Sequence, residues 1–282
     1  MRTPFLLLLV SLSLFMVTRA GGAGPGKDRP RLPMALIPYG EFIMGSDRAE
    51  REYGYGLDEK NKSTASRKYK WFENEERKTV NLKDFYIDLN LVTNEAYEKF
   101  IKATGHPAPY VDEKTWNGYH LAHNYGEVQR FLWKGGTYPK GRGDHPVALV
   151  SHTDAAAFCE YRGLHLPTEA QWEKAARGTE GRYFPWGNLF IADNLNSYLK
   201  GPYDTMPAGS YPKGKSVYGI LDMAGQVFEW TMTPHKAAGK FVVKGGSWDD
   251  YPGVTRCAAS HGRPEDIKHI LIGFRCAGDK AE

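Results

Sequence analysis

Turn-forming residues recur so densely along this chain that long regular elements have little room. Its 282 residues include 31 glycines and 17 prolines, about a sixth of the total. Glycine opens backbone conformations closed to other residues, and proline removes a backbone donor, so this density predicts many turns and excludes long helical bundles. Hydrophobic residues make up 41% of the chain and charged residues 25%. That balance supplies a sizeable core and is unlike a disordered or fibrous chain. The length suits one large domain or two small ones. No internal repeat and no break in composition separates the halves, so one domain is expected.

Residues 1–20 have the form of a secretory signal: Arg2 near the start, an apolar run over 5–17, then Thr18-Arg19-Ala20 with a small residue at the cut. The apolar run, about 13 residues, is too short to span a bilayer comfortably. No cysteine follows it, so a lipid anchor is not indicated. The expected organisation is a signal over 1–20 cleaved after Ala20, a flexible Gly-rich leader over 21–32, and a domain over 33–282. The mature protein is then periplasmic or secreted, with no membrane span. Cleavage lowers the basic count from 37 to 35 against 33 acidic residues. That near-neutral balance gives no electrostatic case for a nucleic-acid partner.

The three cysteines are Cys159, Cys257 and Cys276. In an oxidising compartment an odd number predicts one bridge and one free thiol, and the sequence alone permits three pairings.

Strands are expected over 34–38, 42–45, 241–244 and 270–274, with a kinked strand over 80–87 that bends near Asp84. The stretch 46–78, rich in charge, Gly and Tyr and lacking an apolar period, reads as a long solvated loop. Three helices are expected. One places Ala96, Tyr97, Phe100 and Ile101 on a single face and stops at Gly105. A second follows the capping box of Ser151 and Asp154. A third opens on Thr168 and Gln171, with Pro167 just ahead, and ends at Gly178. Strands and helices without βαβ alternation make the fold class α+β.

No phosphate loop, dinucleotide fingerprint, CxxC, HExxH or GxSxG is present. Eight dense local segments stand out instead: MALIPYGEFIMG at 34–45, FYIDLNLVTN at 85–94, HPVALVS at 145–151, LPTEAQWEKAARG at 166–178, FPWG at 184–187, YGILDMAGQVFEW at 218–230, GGSW at 245–248 and GFRC at 273–276. In this order they resemble the formylglycine-generating enzyme family, also called the sulfatase-modifying-factor family, over roughly residues 33–278. The resemblance implies a single loop-rich α+β domain related to C-type lectins, with little regular secondary structure.

It also implies a pairing of cysteines, Cys159 with Cys276, while the position that would bridge to Cys257 falls near Ala176. A bond closing a loop of about 117 residues would stabilise the fold by roughly 4–5 kcal/mol on the chain-entropy estimate. Structural calcium is implied at the Asp222 and Glu229 side chains and the Gly225 and Val227 carbonyls; a turn of exposed carbonyls flanked by acids suits that hard cation. A second calcium position matches Asn196 and the Ser197 carbonyl, although its later acidic ligand falls between 200 and 204, where this chain is short.

One departure bears on function. Oxidase members of the family carry two copper-binding cysteines between the GGS and RCAA segments. Here 248–255 is shorter, reads WDDYPGVT and contains no cysteine. Carboxylates are hard ligands and cannot reproduce thiolate–copper(I) chemistry, so formylglycine formation on sulfatases by that mechanism is not expected. The groove is instead expected to hold Trp248, Asp249, Asp250, Cys257, His261, Arg263, Glu265, Asp266 and His269. Three readings follow: another oxidative or metal-assisted reaction with Asp250, His261 and His269 as ligands or acid–base groups; binding without catalysis; or solvated charges with no role. Cys257 itself reads as a small buried hydrophobe rather than a nucleophile, and His152, where relatives carry Trp, as a packing variant.

The expected whole is an exported, calcium-stabilised accessory or maturation protein acting on another exported protein or peptide, such as a periplasmic redox enzyme. Relatives of this type include proteins associated with copper nitrite reductase and a factor in siderophore peptide oxidation. The sulfoxide synthases of the family bind iron through an HxxxHxE motif that does not occur here.

Overall fold

The computed structural model of the protein describes residues 29–279. The expected signal over 1–20 and the leader residues 21–28 lie outside that range. Among the described residues no helix is long and apolar enough to cross a membrane.

The chain opens with β1 (Met34–Ile37) and β2 (Gly40–Met44), then α1 (Arg48–Lys60) and a short α2 (Ala65–Lys68). Strands β3 (Lys78–Leu82) and β4 (Phe85–Asp88) lead to α3 (Asn94–Thr104), α4 (Glu113–Gly118) and α5 (Tyr125–Val128). Helices α6 (His152–Tyr161) and α7 (Glu169–Arg177) precede β5 (Phe228–Pro234), β6 (Lys240–Lys244), β7 (Ser260–Pro264), β8 (Ile272–Gly273) and β9 (Ala277–Asp279). Three small sheets result: β1-β4-β9, β2-β3, and β7-β6-β5-β8, the last all antiparallel except for the β5–β8 pair.

The capped helices form as their sequences predict. Ser151 and Asp154 close a capping box on α6, and Thr168 and Gln171 close one on α7. Gly105 ends α3 in the left-handed conformation, which glycine adopts without a side-chain clash. Tyr97 and Phe100 of α3 meet Phe158 of α6 and join Phe274 and Trp230 in the largest core cluster. Within that cluster Cys159 and Cys276 form a disulfide.

Two expectations fail. The stretch 46–78 is not a solvated loop, because it contains α1 and α2. Asp47 caps α1 by accepting from the Glu50 N–H, and the buried positions of the helix are Glu50, Gly54, Tyr55 and Asp58. Their spacing is helical, but the face is mostly polar and is satisfied by partners elsewhere in the chain, so no apolar period marks it. Glu50 pairs with Arg177 at 2.8 Å and with Arg256 at 3.2 Å. Gly54 is required there, since a Cβ would lie 2.5 Å from Arg256 Nε.

The segment 80–87 is likewise not one kinked strand. β3 pairs only with β2, whereas β4 lies between β1 and β9 in another sheet. The break at Lys83-Asp84 is therefore a change of sheet. Strands β5 and β7 and helices α4 and α5 had no clear period in the sequence. β7 reads SHGRP and is half-buried throughout, so it lacks the alternation that betrays a strand.

Candidate functional site

The site grows out of the β7-β6-β5-β8 sheet. After β6 the backbone turns through Gly245 and Gly246, with φ of 95° and 71°. A Cβ at Gly246 would approach Thr255 Cγ2 to 2.9 Å, and one at Gly245 would approach the Trp172 ring to 3.1 Å. Glycine is thus needed twice to bring Ser247 to the mouth of the sheet. There Asp250 Oδ2 accepts from the Ser247 N–H at 2.9 Å and from its hydroxyl at 2.5 Å. The Asp250 N–H returns a bond to the Ser247 carbonyl at 3.1 Å. Burial pushes the Asp250 carboxyl up to about 6; Asp249 adds to the rise, while Ser247 and Arg263 oppose it.

Asp249 points the other way. Its Oδ2 lies 3.0 Å from His123 Nε2, and His123 Nδ1 lies 3.4 Å from Glu127 Oε1. The bond to Asp249 is the largest of the influences that raise the His123 pKa above its usual range, against the opposing effect of burial. Trp248 is fully buried beside this pair, with His123 at 5.4 Å, Tyr203 at 4.9 Å and the Arg130 guanidinium 5.5 Å from its ring. A cavity of about 280 Å³ opens alongside, lined by Trp116, His120, Leu121 and His123 among others.

On β7, His261 and Arg263 are two residues apart and so share a face of the sheet. The His261 ring sits 5.5 Å from Phe228 and 5.6 Å from Trp71. The Arg263 guanidinium lies 5.9 Å from the Phe228 ring and, among the described residues, makes no hydrogen bond or ion pair. His269 accepts the Leu271 N–H on Nδ1 at 3.0 Å and packs 5.4 Å from Trp116. Burial, reinforced by the Arg263 charge, pushes both His261 and His269 down to about 3. Both rings are therefore neutral at physiological pH.

Of the residues expected in the groove, Trp248, Asp249, Asp250, His261, Arg263 and His269 gather here. Asp250, His261 and His269 do not converge as ligands, since each is engaged with a different neighbour. Among the described residues no three His, Cys, Asp or Glu side chains could hold a metal ion together. Cys257 is outside the groove. It is fully buried with Trp172, Ala176 and Phe85 in another core cluster, and burial pushes its thiol up to about 12. Glu265 and Asp266 are exposed at the end of β7; what Glu265 contributes inward is its backbone carbonyl, which accepts from the His152 N–H at 2.9 Å. His152 stacks on Phe241 at 3.6 Å. Sequence reasoning missed His123, Tyr203 and Trp71. The only local signal was the Asn124–Glu127 capping box beside His123, which positions that histidine without announcing its partner 126 residues away.

The expected calcium positions lie at a separate turn. Asp222 is buried, accepts the Gly209 N–H at 2.6 Å and, among the described residues, makes no ion pair; burial pushes its carboxyl up to about 6. Glu229 is already engaged, with its oxygens 2.6 and 2.9 Å from Arg275 nitrogens. Gly225 has φ of 71°, and its N–H donates to the Gly245 carbonyl at 2.8 Å, while Val227 is fully buried. At the second position, Asn196 Oδ1 and Ser197 Oγ are buried with no hydrogen-bond partner among the described residues. The Ser197 carbonyl accepts from Lys200 N–H at 3.1 Å, and Asp204 is held by Arg142 at 3.0 and 2.5 Å.

Residues 24–280 match the family described as Sulfatase-modifying factor enzyme 1-like domain. A formylglycine-generating enzyme from Streptomyces coelicolor is 31% identical over 92% of this chain and 94% of its own length. The inactive C-alpha-formylglycine-generating enzyme 2 of Mus musculus is 29% identical over 86% of this chain and 85% of its own. Among solved structures, PvdO from Pseudomonas aeruginosa superposes with a TM-score of 0.64 at 21% identity, over 88% of this chain and 94% of its own. That last likeness is one of fold.

Proposed function

The chain belongs to the sulfatase-modifying factor, or formylglycine-generating enzyme, family, and from that premise we propose that it is an exported accessory or maturation protein whose groove engages another exported protein or peptide. The reading rests on one observation above all. In the segment where oxidase relatives place two thiols, this chain has no cysteine and sets Asp249 and Asp250 at or beside the first of those positions, one held by His123 and the other by Ser247. Hard carboxylate oxygens that already have hydrogen-bond partners do not make a copper(I) site. One relative is named as a formylglycine-generating enzyme and another as an inactive one, so membership alone does not decide catalysis.

The test is to incubate the full chain with thiol-bearing peptides, with and without copper, and to trap any aldehyde with a hydrazide. No aldehyde is expected; copper-dependent aldehyde would overturn the proposal. For export, residues 1–20 fused to a reporter should carry it out of the cytoplasm, and retention inside would remove that part. A second reading, in which the groove also moves a proton, is favoured by the His123–Asp249 pair. It predicts that His123→Asn abolishes turnover of a bound ligand while leaving its affinity within about twofold.

Calcium is part of the proposal. The fit is good at Asp222, a buried carboxylate without an ion-pair partner among the described residues, and at Asn196 Oδ1, which none of them bonds; an added cation would satisfy both. It is poor at Glu229, which Arg275 occupies. Asp222 with the Gly225 and Val227 carbonyls would hold the first ion and Asn196 with Ser197 the second, each supplying structural charge balance. Adding calcium to chelator-treated protein should raise the melting temperature by several degrees, and Asp222→Asn should remove most of that rise. An unchanged melting temperature would count against both sites.

A further inference from the structure

Arg263 contrasts with Arg177, Arg256 and Arg275, whose buried guanidinia are all paired with carboxylates. It is half-buried on β7, opposite Phe241 in the β6–β7 register, and among the described residues its guanidinium has no hydrogen-bond or ion-pair partner. Withdrawing a guanidinium from water is costly unless an anion or several acceptors replace the lost hydration. The nearest acid does not take that role. Asp250 accepts from both the N–H and the hydroxyl of Ser247 and makes no ion pair with Arg263.

The surroundings favour one class of ligand. Phe228 lies beneath the guanidinium at 5.9 Å and also contacts His261 at 5.5 Å. This apolar floor leaves the fork of donors as the polar feature presented by Arg263, and that fork matches a carboxylate in bidentate geometry. Two exposed aromatic groups belong to residues that touch His261 and Asp250. Trp71, 37% exposed, packs on His261, and Tyr198, 49% exposed, sits where its N–H donates to the Asp250 carbonyl. Aromatic rims of this kind bind apolar side chains on either side of a charged residue.

We propose that Arg263 is the anchor of a carboxylate-recognition site in the groove, and that the ligand is a peptide bearing a free C-terminal carboxylate or an acidic side chain, flanked by apolar residues. This rests on the reading above that the groove engages a peptide. Arg263 binds the ligand's charge, and Trp71 and Tyr198 bind its neighbours.

The experiment uses the purified full chain and immobilised random hexapeptides in four matched sets: central Glu or central Gln, each with a free acid or an amidated C-terminus. Wild type should retain peptides from the sets with a carboxylate and lose at least about tenfold in affinity when the recognised carboxylate becomes an amide. The set in which the loss occurs tells a C-terminus from a side chain. Arg263→Gln should abolish that discrimination, and Arg263→Lys should keep part of it. The melting temperature of Arg263→Gln should equal or exceed that of wild type, because no native partner is lost. Discrimination that survives in Arg263→Gln, or a melting temperature several degrees lower, would overturn the site while leaving peptide binding intact. If wild type retained no peptide from any set, the broader reading of the groove would fall with it.

Discussion

Arg177 is fully buried and Arg263 half-buried, and their surroundings are opposite. Arg177 donates to Glu50 at 2.8 Å, to Glu173 at 2.9 Å and to the carbonyls of Gly45, Gly181 and Arg182 at 2.5, 3.0 and 2.9 Å. Beside it Arg256 pairs with Glu75 and Glu50, and Lys244 with Glu173. Cations and carboxylates alternate through this cluster, which ties α1, α7, β6 and the segment before β7 together. In the groove, by contrast, one guanidinium is left without an anion, two imidazoles are held neutral, and each carboxylate is turned toward a partner of its own. Saturated charge fixes the architecture. Unsaturated charge on a fixed frame is where a ligand can gain binding energy.

The contrast can be broken most directly at Arg177. Arg177→Met leaves Glu50 with Arg256 alone and Glu173 with Lys244 alone, and strips the donor from three backbone carbonyls, so urea denaturation should show a loss of about 3–5 kcal/mol. A loss below about 1 kcal/mol would mean that the cluster is not the saturated unit described. The next effect is at Asp250. Its carboxyl in the folded chain titrates near 6, above its ordinary value of 3.8, so the folded state favours the protonated form. That contribution is fully present below pH 3.8 and is lost as pH climbs toward 6. Asp250→Asn should therefore be more stable than wild type at pH 7.5, by on the order of 1–2 kcal/mol, with the difference shrinking toward pH 4. A difference of the opposite pH sense would sink this account of the site.

Arg263→Gln sharpens the comparison from the other side, with an expected stability change under about 1 kcal/mol by the same urea method. The smallest expected signal is at Cys257, beside the saturated cluster. With its thiol buried and pushed up to about 12, iodoacetamide should leave it unlabelled in native protein at pH 8 and label it fully in denaturant. Native labelling would place this thiol nearer to solvent than the core cluster allows.

Legibility in the sequence followed the range of the interactions. α6 and α7 were visible because a capping box is complete within four residues, and α3 because its apolar face repeats at short spacing. α1 was not visible, since its inward face is Glu50 and Asp58, whose acidity reads as solvated until Arg177, Arg256 and Gly253 are brought to it. In the groove, Asp249, Asp250, His261, Arg263 and His269 were found from their place between the GGS and GFRC segments. The same reasoning wrongly added Cys257, because adjacency along the chain does not reveal which way a turn directs a residue, and the turn before β7 sends this one into another core cluster. His123 was missed for the converse reason: it reaches Asp249 from a distant loop.

By itself, then, the sequence determined the turn-rich α+β class, the helix caps, and the absence of any thiol between residues 248 and 255. Those features are set by local sterics and by residue chemistry at single positions. Only the tertiary structure decided which charges are quenched and which are left open, because Arg177 meets Glu50 across 127 residues and Arg256 meets Glu50 across 206. A charge carries no mark of its partner. Whether it becomes a strut or a binding group depends on what the fold sets within about 4 Å of it.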